Sequence, residues 1–190
     1  MRYGLAILVI AFLAVVGTVI VVSSNNDSDT STATTRNTKI VDYENNDAAK
    51  VSWTQQGRLV GDDQRRAVRV TVTKSKRTVE ILDFYAERVE KSNEFANSPE
   101  AFSAFVRALD TASFGLERNV KQPDERGVCP LGNRYIYRLT DSGNEVMRTW
   151  SDSCRVSDGP FGGGKTASLI AALFKAQITD YSKFTTGLRL

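Results

Sequence analysis

The chain has 190 residues, of which 41% are hydrophobic and 25% charged, with two cysteines and no histidine. Without histidine there is no Ser-His-Asp or Cys-His nucleophile system and no imidazole ligand for zinc or iron. Two cysteines are too few for a cysteine-rich metal site, and a net charge of +3 from scattered residues leaves no nucleic-acid footprint. The sequence therefore predicts no catalytic, cofactor-binding or metal-binding residues.

An apolar run opens the chain. Leu5–Val22 is an uncharged stretch of 18 residues, and Tyr3 and Gly4 extend it to the ~20 residues with which a helix spans a bilayer. A cleaved signal peptide would have a shorter apolar region and a small-residue cleavage site. We therefore predict an uncleaved transmembrane signal anchor over residues 1–22, with residues 3–22 in the lipid bilayer.

The charges on either side of this run predict its orientation. Arg2 precedes it and Asp27 follows it, so the positive-inside rule predicts a single-pass protein of the cell membrane with a cytoplasmic N-terminus. Residues 23–49 are predicted to form a flexible tether, because Ser, Thr, Asn and Asp fill 13 of the 15 positions from Ser23 to Asn37. Residues 50–190 then form one extracytoplasmic domain of ordinary size.

The first half of this domain is predicted to form strands. Val51 and Trp53 alternate with polar neighbours, and the alternation over Val68–Val72 is clearer. The charged turn Lys74–Arg77 leads into a second alternating run at Val79, so the two runs form a hairpin with one apolar face. Tyr85–Phe95 is compatible with either a short helix or a third strand.

A helix is predicted to follow. Ser98 is a suitable cap, Pro99 suits the first helical position, and Glu100 faces the positive end of the helix dipole. One apolar stripe comprises Phe102, Phe105, Val106 and Leu109. Gly115 is expected to end the element.

A second hairpin and a second helix complete the predicted fold. Asp141–Asn144 forms the turn of the hairpin, which places Tyr135 opposite Trp150 and Leu139 opposite Val146. A second amphipathic helix, capped by Thr166, is predicted from a further apolar stripe. Its members are Leu169, Ile170, Leu173 and Phe174. The predicted class is α+β, an antiparallel sheet with two helices packed against it.

The two cysteines bracket the second hairpin. In the predicted register Cys129 lies opposite Val156, two positions from Cys154, so we predict a disulfide between the two cysteines. It would contribute roughly 3 kcal/mol. Two free cysteines are the alternative in a reducing cytosol, whereas the disulfide is expected outside the membrane.

Three further patterns carry candidate chemistry. Gly159–Thr166 matches the phosphate-binding pattern G-x-x-x-x-G-K-[ST] with Lys165 as its lysine, but a polar segment precedes it and only 24 residues follow. We interpret it as a glycine-rich loop that leads into a helix. Ser168 near Lys165 is weak support for a Ser-Lys dyad.

A basic cluster on the first hairpin is interpreted as a solvated face, with an anionic partner as the alternative; its members are Arg65, Arg66, Arg69, Lys74, Lys76 and Arg77.

Two resemblances bear on these segments. Three segments carry the first resemblance: Cys129-Pro-Leu-Gly-Asn-Arg-Tyr-Ile-Tyr137, Arg148-Thr-Trp-Ser-Asp-Ser-Cys154 and Leu173-Phe-Lys-Ala-Gln-Ile-Thr-Asp-Tyr181. Together they resemble small signal-anchored exported proteins of reduced-genome bacteria. That resemblance covers roughly residues 51–181 and implies no activity. The cysteine-bracketed hairpin alone resembles subtilisin-inhibitor-like proteins, whose second disulfide and reactive loop are not identifiable.

The expected function is a membrane-anchored extracytoplasmic domain that binds or scaffolds, without catalysis. Its expected partners are the bilayer and a cell-surface or envelope partner, and not nucleic acid. An alternative is a protease-inhibitor-like module that presents residues 156–164. A hydrolase that uses carboxylates or the Ser-Lys pair is a third hypothesis.

Overall fold

The computed structural model describes residues 36–59, 61, 65–83, 88–118, 124–154, 159–161, 165–188 and 190. The predicted anchor and nearly all of the polar stretch that follows it lie outside these residues. Within the described ranges, no helix combines the length and the apolar character that crossing a bilayer requires.

The described elements form an α+β domain, as predicted. In chain order they are β1 (Arg36–Asn37), a 3-10 helix (Ile40–Tyr43), β2 (Lys50–Gln56), β3 (Arg66–Val72), β4 (Lys76–Asp83), β5 (Arg88–Ala96), α1 (Pro99–Thr111), β6 (Leu116–Glu117), β7 (Arg134–Asp141), β8 (Asn144–Asp152), α2 (Lys165–Ala176) and α3 (Tyr181–Phe184). Six strands make one antiparallel sheet in the order β5-β4-β3-β2-β7-β8. β1 and β6 form a separate two-stranded ribbon.

The alternating apolar residues line one face of the sheet, called here the inner face. Trp53 on β2 pairs with Val70 on β3 and with Tyr137 on β7, and all three side chains are buried. Of the segment Tyr85–Phe95, which the sequence left open between helix and strand, the described residues from Arg88 onward belong to the strand β5, which pairs with β4. The first hairpin is therefore confirmed and gains a third strand.

Helix α1 forms where the sequence predicts it. The backbone N–H of Ala101 donates to the Ser98 Oγ at 3.2 Å, and Pro99 is the first helical residue. The four stripe residues are all buried against the inner face. The helix ends at Thr111, four residues before Gly115, where a Cβ would overlap the carbonyl oxygen of Thr38.

The second hairpin has the predicted turn but a different register along most of its length. Ser142 and Gly143 both have positive φ, as a two-residue hairpin turn requires, and Asp141 pairs with Asn144. An irregularity between Leu139 and Thr140 then shifts the pairing by one residue.

That shift corrects both predicted cross-strand pairs. Trp150 lies opposite Ile136 rather than Tyr135, and Leu139 lies opposite Met147 rather than Val146. A one-residue slip moves side chains to the other face, so Trp150 leaves the inner face.

The helix α2 also differs from the prediction at its ends. It begins at Lys165, so Thr166 is a residue of its first turn and the predicted cap is wrong. Ile170 and Phe174 are fully buried, whereas Leu169 is 51% exposed. The buried stripe is therefore narrower than predicted.

The core lies between the inner face and the helices. Six large side chains at its centre are fully buried; they are Trp53, Tyr137, Phe102, Phe114, Phe161 and Phe174. Ile40 is buried in the same cluster, so the core includes residues before Lys50.

Candidate binding surface

The cysteines close the base of the second hairpin, as predicted. Cys129 and Cys154 form a disulfide with Cα atoms 5.8 Å apart. Beside it, Asn133 and Ser153 extend the ladder: the N–H of Ser153 donates to the Asn133 carbonyl at 2.9 Å, and the N–H of Asn133 donates to Ser153 Oγ at 2.8 Å. Gly132 passes so close that a Cβ there would overlap the Cys129 sulfur.

One carboxylate accompanies the disulfide. Asp152 lies with Cys129 and Cys154 in a group whose potential ligand atoms are within 4.8 Å of one another. The two sulfurs are bonded to each other, and Asp152 Oδ1 accepts a hydrogen bond from the Cys154 N–H at 2.8 Å. The group is therefore arranged as a structural staple, since a thiolate metal site would need both sulfurs free.

The glycine-rich pattern contains a core residue. Phe161 is fully buried, its ring centroid lies 4.5 Å from that of Tyr137, and its N–H donates to the Trp150 carbonyl at 3.2 Å. Gly159 lies so close to the backbone of Trp150 that a Cβ would overlap it. A phosphate-binding loop needs free backbone amides around the ligand, so these contacts favour the interpretation as a loop. Residues 162–164 and the Lys165 side chain lie outside the described part of the chain.

The structure gives little support to a catalytic Ser-Lys dyad. Ser168 lies in the first turns of α2 and is exposed to solvent. A nucleophile acts in a site that excludes water and orients the base. The position of Ser168 on an exposed helix surface does not favour that role.

The basic cluster of the first hairpin forms ion pairs with neighbouring acids. Arg69 binds Glu80 at 2.7 Å, Lys74 binds Asp47 at 2.6 Å, and Arg66 pairs with Glu90. Such pairs between partly exposed groups contribute about 1 kcal/mol or less each.

The other members of the cluster also have partners. Lys76 binds Glu94 at 2.8 Å, and Arg77 donates to the carbonyls of Ala96 and Gln177. Arg65 likewise has interaction partners. The cluster is therefore a paired, solvated face, which gives little support to an anionic partner there.

The strand β5 is the exposed edge of the sheet. Eight of its nine residues are exposed, and Phe95 is half-buried. Among the described residues no strand pairs with its outer side. An open edge carries backbone N–H and C=O groups that can pair with another strand.

A groove of about 410 Å³ runs beside this edge on the inner face. Lys91 and Phe95 of β5 form one side, and Asp180, Lys183 and Phe184 form the other. Lys91 Nζ lies 4.3 Å from the centroid of the Phe184 ring and donates to the Phe184 carbonyl at 3.1 Å. We define the binding surface as the β5 edge together with this groove.

The sequence contains a signal for this surface in its composition, although hydrophobic periodicity does not reveal it. The segment from Arg88 to Ala96 mixes both charge signs with few apolar residues, a composition typical of protected edge strands. The groove itself depends on where residues 179–184 pack, about 90 residues later in the chain, so local sequence could not predict it.

Buried tyrosines near the core have shifted pKa values. Burial raises the pKa of Tyr181 to about 12, and burial raises the pKa of Tyr137 still further, although Tyr137 shares a hydrogen bond of 2.9 Å with Ser151 Oγ. Both phenols stay neutral at physiological pH, so neither supplies a charge for binding.

No protein-family model, no curated protein and no solved structure matches the chain. Its function is therefore inferred from its own residues.

Proposed function

We propose that the chain is a single-pass cell-membrane protein whose extracytoplasmic domain binds or scaffolds a surface or envelope partner without catalysis. Residues 1–22 would be the uncleaved anchor, with a cytoplasmic N-terminus, and the residues from 23 onward the tether. The part of the predicted tether that the structure describes, residues 36–49, contributes the buried Ile40 and Ala49 to the core and therefore belongs with the domain at 50–190. The anchor rests on the uncharged run Leu5–Val22. The open β5 edge beside its groove is the single observation that carries the binding role.

The disulfide supports the extracytoplasmic location. Structural disulfides persist in oxidising compartments and are rare in the cytosol. The Cys129–Cys154 bond closes a chain segment of 25 residues and braces the hairpin that ends the sheet opposite β5.

The location is tested on intact cells that express the full chain, with a membrane-impermeant maleimide. We expect labelling of Cys129 and Cys154 only after treatment with a membrane-impermeant reductant. Labelling before reduction would contradict the disulfide, and labelling that requires cell lysis would contradict the location. The Cys129→Ser/Cys154→Ser double variant is the control for background labelling.

The protease-inhibitor module remains an alternative proposal. The residues of the segment 156–164 that the structure describes include Phe161, which is fully buried, whereas an inhibitor presents an exposed loop to the protease. Inhibition of secreted proteases by the full chain, without cleavage of that segment, would favour the alternative. A hydrolase that uses carboxylates or the Ser-Lys pair remains the third proposal. Turnover that Ser168→Ala abolishes would assign it to the Ser-Lys pair, and turnover that survives this change would assign it to carboxylates.

A further inference from the structure

We propose that β5 accepts an extended peptide segment of an acidic partner as an additional strand of the sheet. One carboxylate of the peptide faces Lys91 and Lys183, and one apolar side chain faces Phe95. This inference rests on the proposed binding function, because it names the class of ligand that the same surface takes.

The backbone of β5 offers the required hydrogen-bonding groups. The N–H of Asn97 donates to the Ser75 carbonyl at 2.9 Å, and Lys76 lies opposite Ala96. Hydrogen-bonded and non-hydrogen-bonded pairs alternate along an antiparallel ladder. Ser92, Glu94 and Ala96 therefore direct their N–H and C=O groups away from β4.

Two local contacts agree with this assignment. The N–H of Glu94 donates to the adjacent Asn93 Oδ1 at 3.1 Å, and the Ala96 carbonyl accepts from Arg77 at 2.8 Å. Both groups would otherwise point into solvent. The N–H and C=O of Ser92, near the middle of β5, are therefore the backbone groups that an added strand would pair with.

The side chains beside the edge define the ligand chemistry. An added strand places its inner-face side chains about 5 Å from Lys91, Asn93 and Phe95. Lys183 and the carboxylate of Asp180 line the same groove, so its charged residues are two lysines and one aspartate and its net charge is positive. Because Lys91 and Phe95 are four residues apart, the ligand needs an acidic and an apolar residue four positions apart.

The outer face opposes acidic residues at the intervening positions. Glu94 lies on that face beside Lys76, with which it already pairs at 2.8 Å. A peptide carboxylate on the outer face would find Lys76 already neutralised by Glu94, and the Glu94 carboxylate would repel it. The ligand is therefore acidic on one face only.

A second copy of the chain is a poorer occupant. Antiparallel pairing of two β5 strands centred on Lys91 or Glu94 sets identical charges opposite each other. Centring on Ser92 places Glu90 opposite Glu94 twice. Like charges opposite one another destabilise a strand pair, so these three registers are disfavoured. The register centred on Asn93 places Lys91 opposite Phe95 and carries no such repulsion, so self-association is one of the outcomes that the test below distinguishes.

The test uses the full chain in lipid nanodiscs, panned against random decapeptides displayed on phage. We expect enrichment of proline-poor peptides that carry Asp or Glu four positions from an apolar residue. A synthetic copy of an enriched peptide is then titrated against wild-type and variant chains.

The backbone arm compares Ser92→Pro with Ser92→Ala. Proline removes an N–H that points away from β4, so the internal ladder is preserved and the melting temperature should stay near that of the wild type. Loss of that donor leaves a peptide carbonyl unpaired, so the affinity should fall about tenfold with Ser92→Pro and stay unchanged with Ser92→Ala.

The charge arm compares Lys183→Glu with Lys50→Glu. Lys183→Glu should weaken binding about fivefold. Lys50→Glu should leave it unchanged, because Lys50 lies on β2, three strands or about 14 Å from β5. Replacing the acidic residue of the peptide with its amide should cancel the difference between the two variants.

The outcomes separate this inference from the function on which it rests. Peptides that bind wild-type and Ser92→Pro chains equally would overturn strand addition while leaving a binding domain. Self-association that Ser92→Pro abolishes, in the absence of peptide binding, would overturn the acidic ligand in favour of a second copy. A folded chain that enriches no peptide and does not self-associate would contradict both proposals.

Discussion

The two edge strands of the six-stranded sheet, β8 and β5, are protected in different ways. At the β8 edge the segment 159–161 covers the strand: Phe161 donates to the Trp150 carbonyl, and its ring lies in the core. At the β5 edge almost every residue is exposed, and four of the nine residues of the strand are charged. One edge is therefore protected by burial and the other by charge, and only protection by charge leaves the backbone accessible to a partner.

The hairpin that includes β8 is also braced from outside the sheet. Arg148 of β8 binds both carboxylate oxygens of Glu125 at 2.6 and 2.9 Å, and Glu125 is 7% exposed. The disulfide follows directly after the strand. The matching pair at the open edge, Lys76 and Glu94, is about half exposed at both side chains. We therefore expect substitutions near β8 to affect stability and substitutions near β5 to affect binding.

The largest expected effect comes from the cover of β8. Phe161→Ala should lower the free energy of unfolding by about 3–5 kcal/mol, because it leaves a cavity in the core. Phe184→Ala, at the partly exposed groove beside β5, should cost about 1 kcal/mol through the lost contact with Lys91. Urea unfolding of the full chain in detergent, followed by the fluorescence of Trp53 and Trp150, measures both. Equal losses would remove the distinction between the edges.

The disulfide should have the next largest effect. The Cys129→Ser/Cys154→Ser double variant should lose roughly 3 kcal/mol, mainly because the unfolded chain regains freedom. Reductant should destabilise the wild-type chain by a similar amount and leave the double variant unchanged. A wild-type melting temperature that is insensitive to reductant would show that the staple contributes little to the β8 edge.

The two acidic residues that pair beside the edges provide a matched comparison. Glu125→Gln should cost about 1–3 kcal/mol, because it weakens a charge-assisted contact that is largely buried. Glu94→Gln should cost less than about 0.5 kcal/mol, as expected for an exposed pair. Both variants are measured by the same urea titration. A larger loss for Glu94→Gln would reverse the assignment of the stabilised edge.

The smallest expected effect concerns pH near the β8 edge. A hydrogen bond from the Arg126 side chain, followed by one from the Arg126 backbone, lowers the pKa of Asp124 to about 2. Because the folded pKa is depressed, the stabilising contact is complete above the ordinary pKa of about 4 and is lost as the pH falls toward 2.

Carboxyl-carbon NMR of the full chain in detergent checks this titration. Arg126→Ala should raise the Asp124 midpoint part of the way toward its ordinary value of about 4, because the backbone N–H at position 126 still donates to Asp124 Oδ1. An Asp124 midpoint near 4 in the wild-type chain would mean that Arg126 does not hold this loop.

Several elements could be predicted because their determinants are local. The Ser98 cap, the first-position Pro99 and the apolar stripe of α1 act within a few residues of one another, and all are confirmed. The turn at Ser142 and Gly143 also needs only its own backbone geometry. The disulfide was predicted from the position of both cysteines at the ends of one hairpin, which is again a short-range relation.

Other features depend on contacts between distant segments. The register of the second hairpin shifts at Leu139, because the side chains beyond the turn must also fit the inner face on β2. Phe161 looked like part of a polar glycine-rich loop, yet it fills a space between Phe114 and Tyr137. No pattern near Phe161 contains that information.

Alternation, capping and short loops act over a few residues, so the α+β class, the first hairpin, helix α1 and the cysteine pair follow from local sequence. Which strands form the edges depends on long-range pairing, since β2 pairs with β3 on one side and with the later β7 on the other. That pairing places β5 at one end of the sheet and packs residues 179–184 beside it. The open edge and its groove are thus products of long-range packing, which local periodicity does not encode.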